Sequence, residues 1–215
     1  MTTAEFVAPA GEISFAVDGD GPTTIVLGHG AGAPLGSDYM AFFATELAGR
    51  GYCVVRFNFR YMEAGRKAPD KQPVLIETFR AVVDETTSDA EQVVVGGKSM
   101  GGRIASHAVA EGMDVDGLVF LGYPLHPPGR PERIRDAHLH DVQAPMLFVE
   151  GTRDPFCPLE TLEKVRAGLN AETEILVIED GDHSLKVRKS SGRDTRAAWA
   201  EAVDGVDGWI RKVVP

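Results

Sequence analysis

The stretch QVVVGGKSMGGRIASHAVAEG (92–112) holds a run of valines, a cluster of glycines and then a helical pattern. The apolar run predicts a strand over 92–97 that is buried on both faces. The pattern after it predicts a helix over 100–112. Between them lies Gly97-Lys98-Ser99-Met100-Gly101, a G-x-S-x-G sequence. A strand-to-helix elbow this tight forces its serine into a strained backbone conformation. Small residues two before and two after keep neighbouring backbone from clashing. The turn holds the serine Oγ at a strand end, near a helix N-terminus that favours developing negative charge. Gly96 and Gly102 widen the low-bulk zone. The competing reading is a glycine-rich turn with an incidental serine. The Lys-Ser pair lacks the G-x-x-x-x-G-K-[ST] spacing of a phosphate-binding loop, and no G-x-G-x-x-G is present there, so a nucleotide site is not expected.

The same alternation of strand and helix runs outward in both directions. EISFAVDG (12–19) reads as an edge strand, TTIVLGHG (23–30) as a buried strand and YCVVRFNF (52–59) as the next. DGLVFLGYP (116–124), APMLFVEG (144–151) and TEILVIEDG (173–181) complete the set. Helical patterns fall over 38–50, 74–90, 158–169 and 195–213. Strands that alternate with helices imply right-handed parallel β-α-β units. The expected fold is one doubly wound, mostly parallel α/β domain over residues 1–215. Its functional groups belong beyond the C-terminal ends of the strands. The proline-bearing segment 124–144 is the only room for a cap. It is too short for a broad helical lid, which favours a small or partly exposed substrate.

Length and charge narrow the function classes. A chain of 215 residues with a formal net charge of −10 has the size of one domain and no general attraction for nucleic acid or anionic lipid. No apolar run is long enough to span a bilayer. MTTAEFVAPAGEIS, at the N-terminus, lacks the basic region and apolar core of a secretory signal. Two cysteines, Cys53 and Cys157, are too few for a disulfide framework or a zinc site, and Cys53 reads as a small core residue. A cytoplasmic location is the expectation. No cofactor, metal, membrane or nucleic-acid partner is expected, and the sequence carries no signal for oligomeric state.

Acyl transfer at Ser99 needs two preorganised N–H donors for the oxyanion. The backbone N–H of Met100 is one candidate; Ala31, in Gly28-His29-Gly30-Ala31-Gly32-Ala33 after an earlier strand, is the other. His29 reads first as a brace for that loop. Of the six histidines, His183 in Asp180-Gly181-Asp182-His183-Ser184 follows the last strand and is the candidate base. His107 reads as a partly buried helix residue. His126, His138 and His140 read as residues of a solvated loop, with no third ligand spaced to make His138-x-His140 a metal site. Asp154, in Gly151-Thr152-Arg153-Asp154-Pro155, is the candidate acid; its bland role is to cap a turn. Asp180 and Glu150 are held in reserve, while Asp182 adjoins His183 too closely to reach its ring. Three residues placed separately agree in chain order and strand-end position, which none does alone.

With these residues in place the chain resembles the α/β-hydrolase superfamily over nearly its whole length. The resemblance is nearest to a compact branch related to dienelactone hydrolases and to testis-expressed and chromatin-complex hydrolase-like proteins. It rests on GHGAGA (28–33), FNFRY (57–61), GGKSMGG (96–102), GYPLHP (122–127), GTRD (151–154) and GDHS (181–184). It implies an α/β-hydrolase fold with a minimal cap and a serine-dependent hydrolase with Ser99 as nucleophile, His183 as base and Asp154 as acid. Dienelactone hydrolases carry cysteine where this chain has Ser99, a departure that bears against a lactone substrate.

The leading expectation is hydrolysis of a small carboxylic ester or thioester through an acyl-enzyme, on a small-molecule substrate. The alternatives are a serine peptidase or amidase, and a weakly catalytic interaction protein that keeps the fold. His29, Arg60, Tyr123 and His126 are candidates for the substrate rim. The loops at the catalytic face also carry Arg66, Lys67, Arg130, Arg133, Arg135, Arg153, Lys186, Arg188 and Lys189. A basic rim on an acidic chain predicts some preference for anionic acyl substrates. The competing reading is solvated charge, partly paired with Glu63, Asp70, Glu132 and Asp136.

Overall fold

The computed structural model describes residues 2–8 and 11–214. Eight strands form one sheet in the order β1-β2-β4-β3-β5-β6-β7-β8. They are β1 (Thr2–Ala8), β2 (Gly11–Asp18), β3 (Thr23–Gly28), β4 (Cys53–Phe57), β5 (Gln92–Lys98), β6 (Gly117–Leu121), β7 (Met146–Gly151) and β8 (Thr173–Ile178). β1 and β2 pair antiparallel, and so do β2 and β4; every other pair is parallel.

Alternation along the central strands explains both helix layers. Val95, Phe120 and Phe148 face one core, together with Leu75, Phe79 and Val82 of α3 (Gln72–Thr86) and Ile104 and Ala108 of α4 (Met100–Ala110). Val94, Val119 and Val149 face the other core. Opposite them lie Phe43 and Leu47 of α1 (Asp38–Ala48) and Trp199, Val203 and Ile210 of α6 (Thr195–Val213). Strands buried on both faces must read as apolar throughout, as these do. Truncating a side chain such as Phe120 to alanine would cost about 3–5 kcal/mol. Arg56 would be anomalous on a central strand. Its guanidinium is satisfied by Asp18 Oδ2 at 2.7 Å and by the Leu35 carbonyl at 2.8 Å, which also ties down the loop after β3.

Two sequence expectations need correction. The stretch 12–19 is not the edge of the sheet. Thr2–Ala8 lies outside it, with Phe6 opposite Ile13 and its ring edge-on to Phe15 at 5.9 Å. Cys53 is half-buried rather than a core residue, whereas Cys157 is buried; both are free. Elsewhere the elements fall within a few residues of expectation. The segment 60–73 gains a short helix, α2 (Arg60–Glu63), and 158–169 holds α5 (Leu159–Arg166). Segment 124–144 is irregular apart from a 3-10 turn at Ala137–Asp141, so among the described residues nothing resembling a lid covers the strand ends. No helix among the described residues is long and apolar enough to cross a membrane.

Candidate active site

The C-terminal ends of β3 and β5 meet in a glycine clasp. Gly28 lies opposite Gly97 in the parallel register. A Cβ on Gly97 would fall 2.1 Å from the Gly28 carbonyl oxygen, and one on Gly101 would fall 2.0 Å from it. The glycines two before and two after Ser99 are thus required by the same neighbour. Ser99 itself has φ 51° and ψ −111°, a conformation costly for a residue with a side chain. α4 starts at the next residue, so Oγ stands at a helix N-terminus.

His183 and Asp154 reach this point from two other strand ends. His183 Nε2 lies 2.8 Å from Ser99 Oγ, and His183 Nδ1 lies 2.6 Å from Asp154 Oδ2. The Asp154 side chain is fully buried, and its Oδ1 accepts the Phe156 N–H at 2.8 Å. Phe156 presents an aromatic contact to the His183 ring, 4.7 Å between centroids. The loop bearing His183 is anchored by the Trp199 indole, which donates to the Ser184 carbonyl at 2.9 Å, and by buried Leu185. Lys98, the residue before Ser99, sends its ammonium to the His183 carbonyl and lies over the Tyr39 ring. Burial pulls the Lys98 pKa down to about 8. Of the reserve acids Asp180 is engaged elsewhere and Glu150 is fully buried at the end of β7. Asp180 pairs with Arg188 and Arg153, and Asp182 accepts the Ser184 and Lys186 N–H groups to shape the turn.

The loop after β3 is braced from below. His29 is fully buried; Nδ1 lies 2.7 Å from the Gly30 carbonyl and Nε2 accepts the Phe59 N–H at 3.1 Å. Burial lowers its pKa, in keeping with a neutral ring that donates through Nδ1. The Tyr61 hydroxyl accepts the Gly32 N–H at 3.1 Å. Ala31 and Met100 both border the cavity that opens above Ser99.

That cavity, about 280 Å³, is walled by Leu75, Pro124, Pro128 and Phe156, with Arg103, Arg135 and His126 among its polar groups. Of the four expected rim residues only His126 lines it. His29 and Tyr123 are fully buried, one in its bracing role and one with its ring in the core. Arg60 opens α2, and its side chain is not part of the cavity wall. The expected basic rim is also thinner than the sequence suggests. Arg66 bonds Asp70 at 2.6 Å and Arg188 pairs with Asp180, which leaves Arg135 as its member on the cavity wall.

Arg103 went unnoticed in the sequence. One helical turn beyond Ser99, it faces the cavity, donates to Gln72 Oε1 at 3.1 Å and has no carboxylate partner among the described residues. The i, i+4 spacing from the serine was the available signal. His138 corrects another expectation. It is not solvated but stacked on His107, 3.5 Å between centroids, with Nε2 2.8 Å from Ser106 Oγ and 3.2 Å from the Tyr123 hydroxyl. Segment 124–144 folds back onto α4, and that return leaves His138 half-buried. His126 is buried, while His140 is exposed.

A single sheet with this elbow and this order of strand-end residues defines an α/β hydrolase. The sequence profile described as "Alpha/beta hydrolase domain" matches residues 21–211, and the chain belongs to that family. Its likeness runs to the lidless, dienelactone-hydrolase-like branch. A Salmonella typhimurium protein named "Putative carboxymethylenebutenolidase" is 30% identical over 159 residues, 67% of this chain and 53% of that protein. The chain therefore spans about half the length of that relative. The crystal structure of XC6422 from Xanthomonas campestris, an α/β serine hydrolase without a lid, matches with TM-score 0.77 at 20% identity, over 97% of this chain and 94% of that one. Dienelactone hydrolase from Anabaena variabilis matches with TM-score 0.75 at 17% identity, over 99% of both chains.

Proposed function

We propose that this chain is a serine hydrolase that cleaves small carboxylic esters or thioesters through an acyl-enzyme. The observation that carries the reading is the continuous contact Asp154–His183–Ser99, at 2.6 and 2.8 Å, opening into a cavity of small-molecule size. Ser99 Oγ attacks the carbonyl while His183 Nε2 takes its proton. The oxyanion forms beside the Met100 and Ala31 N–H groups. His183 then gives the proton to the leaving alcohol or thiol, and the acyl group stays on Ser99. Water attacks that ester with His183 again as base, releasing the acid and restoring the serine. Asp154 holds the imidazole tautomer and stabilises the imidazolium.

Two guanidinium groups on the cavity wall with no carboxylate partner among the described residues, in a chain of net charge −10, support a substrate that carries a negative charge. Arg103 and Arg135 are both held below their ordinary pKa, chiefly by burial, and Arg103 also feels the charge of Arg135.

The test is a fluorophosphonate probe and a panel of esters, thioesters and amides, run on wild type and Ser99→Ala. The expected result is labelling of wild type alone, with kcat lowered by about three orders of magnitude or more in the variant. Labelling or ester turnover that survives Ser99→Ala would overturn the assignment.

A further inference from the structure

A second carboxyl group, unused in the steps above, lies beneath the relay at the end of β7. Glu150 is fully buried. Its Oε1 accepts the Tyr123 N–H at 2.6 Å. Its Oε2 is also buried and finds no donor among the described residues. The turn closed by the Asp154 N–H on the Gly151 carbonyl, 3.0 Å, folds the chain back and sets the Asp154 carboxylate beside Glu150, whose carboxyl feels its charge. Two ionised carboxylates side by side repel, and a buried carboxylate oxygen with no donor loses its hydration without return. A carboxylic acid in the same place has a proton to give.

We propose that Glu150 is a neutral carboxylic acid that donates its Oε2–H to the Asp154 carboxylate, so that two carboxyl groups sharing one proton back His183. Glu150 is then a positioning residue that acts through Asp154, and the inference rests on the Ser99–His183–Asp154 reading. The groups that face it come from several elements: Lys98 from β5, Tyr39 from α1, and Cys157 and Asp154 from the loop after β7. Burial first, and then the Asp154 charge, drive the Glu150 pKa well above the usual carboxylate range, while the Tyr123 N–H and the Lys98 ammonium pull the other way. The Lys98 ammonium is committed to the His183 carbonyl.

A donor on Asp154 lowers the basicity of that carboxylate, and with it the stabilisation of imidazolium on His183. Glu150→Gln keeps a neutral donor and should leave the acid limb of kcat/KM where it is. Glu150→Leu removes the donor, so the limb should move up by about half to one pH unit. An infrared difference spectrum of wild type against Glu150→Gln at neutral pH should show the carbonyl band of a protonated carboxylic acid, a readout independent of turnover.

A downward shift of the limb in Glu150→Gln would mean that wild-type Glu150 is ionised and would overturn the proposal. So would an absent infrared band, or a folded Glu150→Leu whose limb does not move. Failure of the relay reading itself would appear separately, as wild-type hydrolysis that does not depend on Ser99.

Discussion

Arg103→Gln should change which esters this protein prefers. A substrate carboxylate in the cavity would meet the Arg103 guanidinium, which stands one turn beyond Ser99 and donates to the neutral Gln72 rather than to a carboxylate. Hydrogen bonds to charged groups contribute about 1.5–3 kcal/mol. The cavity is open to water, so about 2 kcal/mol is the working figure, a factor of about 30 in kcat/KM. The assay compares p-nitrophenyl butyrate with p-nitrophenyl hemisuccinate, acyl groups of equal length of which only the second is charged. In Arg103→Gln the hemisuccinate-to-butyrate ratio of kcat/KM should fall about 30-fold, and Arg135→Gln should lower it in the same direction. Raising ionic strength to 0.5 M, where the Debye length shrinks to about 4 Å, should compress the wild-type ratio. Ratios within about twofold of wild type in both variants would refute the anionic-substrate argument. The Ser99 assignment would stand untouched.

Two further predictions test the frame around the site. Burial lowers His107 to about pKa 4 and His138 to about 3, with each held down further by neighbouring positive charge. Both lie below the unfolded value of about 6.5, so the unfolded chain binds more protons between those limits. The stability of the neutral pair is present above about pH 6.5 and is lost as pH falls toward 4. Urea unfolding at pH 7.5 and pH 5 should show wild type losing about 1–2 kcal/mol more than a His107→Gln/His138→Gln double variant, the full shift being reduced by solvent screening of a half-buried pair; equal losses would deny the linkage. Gly101→Ala would set a Cβ 2.0 Å from the Gly28 carbonyl and should lower Tm by about 10 °C, with loss of probe labelling. Gly36→Ala meets nothing within 4 Å and should melt with wild type.

What the sequence made legible follows from how each residue is buried. The parallel strands β3, β5, β6 and β7 are covered on both faces, so they must be apolar throughout, and a continuous run such as Val93–Val95 is hard to mistake. β1 has no such constraint. Thr2–Glu5 are exposed at the sheet edge and Phe6 is half-buried, and so short a stretch there carries little signal. Ser99, Asp154 and His183 stand at strand ends, where fold topology limits what a residue can do. Phe156 depends instead on how the loops at the strand ends close, and His138 on a tertiary return of segment 124–144 to α4. Neither hydrophobic period nor spacing encodes such a return. Glu150 stands in the sequence only as a reserve acid. Its burial behind Tyr123 becomes visible only in three dimensions.

The site is thus fixed by two kinds of interaction with different tolerances. Parallel register puts Gly28 opposite Gly97, and that pairing sets both the Ser99 elbow and the start of the loop that carries Ala31. The proposed nucleophile and oxyanion donor therefore cannot move independently, because one carbonyl, that of Gly28, touches the positions two before and two after the serine. A one-residue slip of β3 against β5 would turn every buried side chain of the strand to the wrong core and dismantle the elbow with it. The cavity wall carries no such coupling. Arg103 hangs from a helix, Arg135 and His126 from an irregular segment and Phe156 from a turn, so each can be exchanged without disturbing the register. Selectivity in this protein should accordingly respond to single substitutions that leave Ser99 labelling intact, whereas changes at the clasp should remove fold and labelling together.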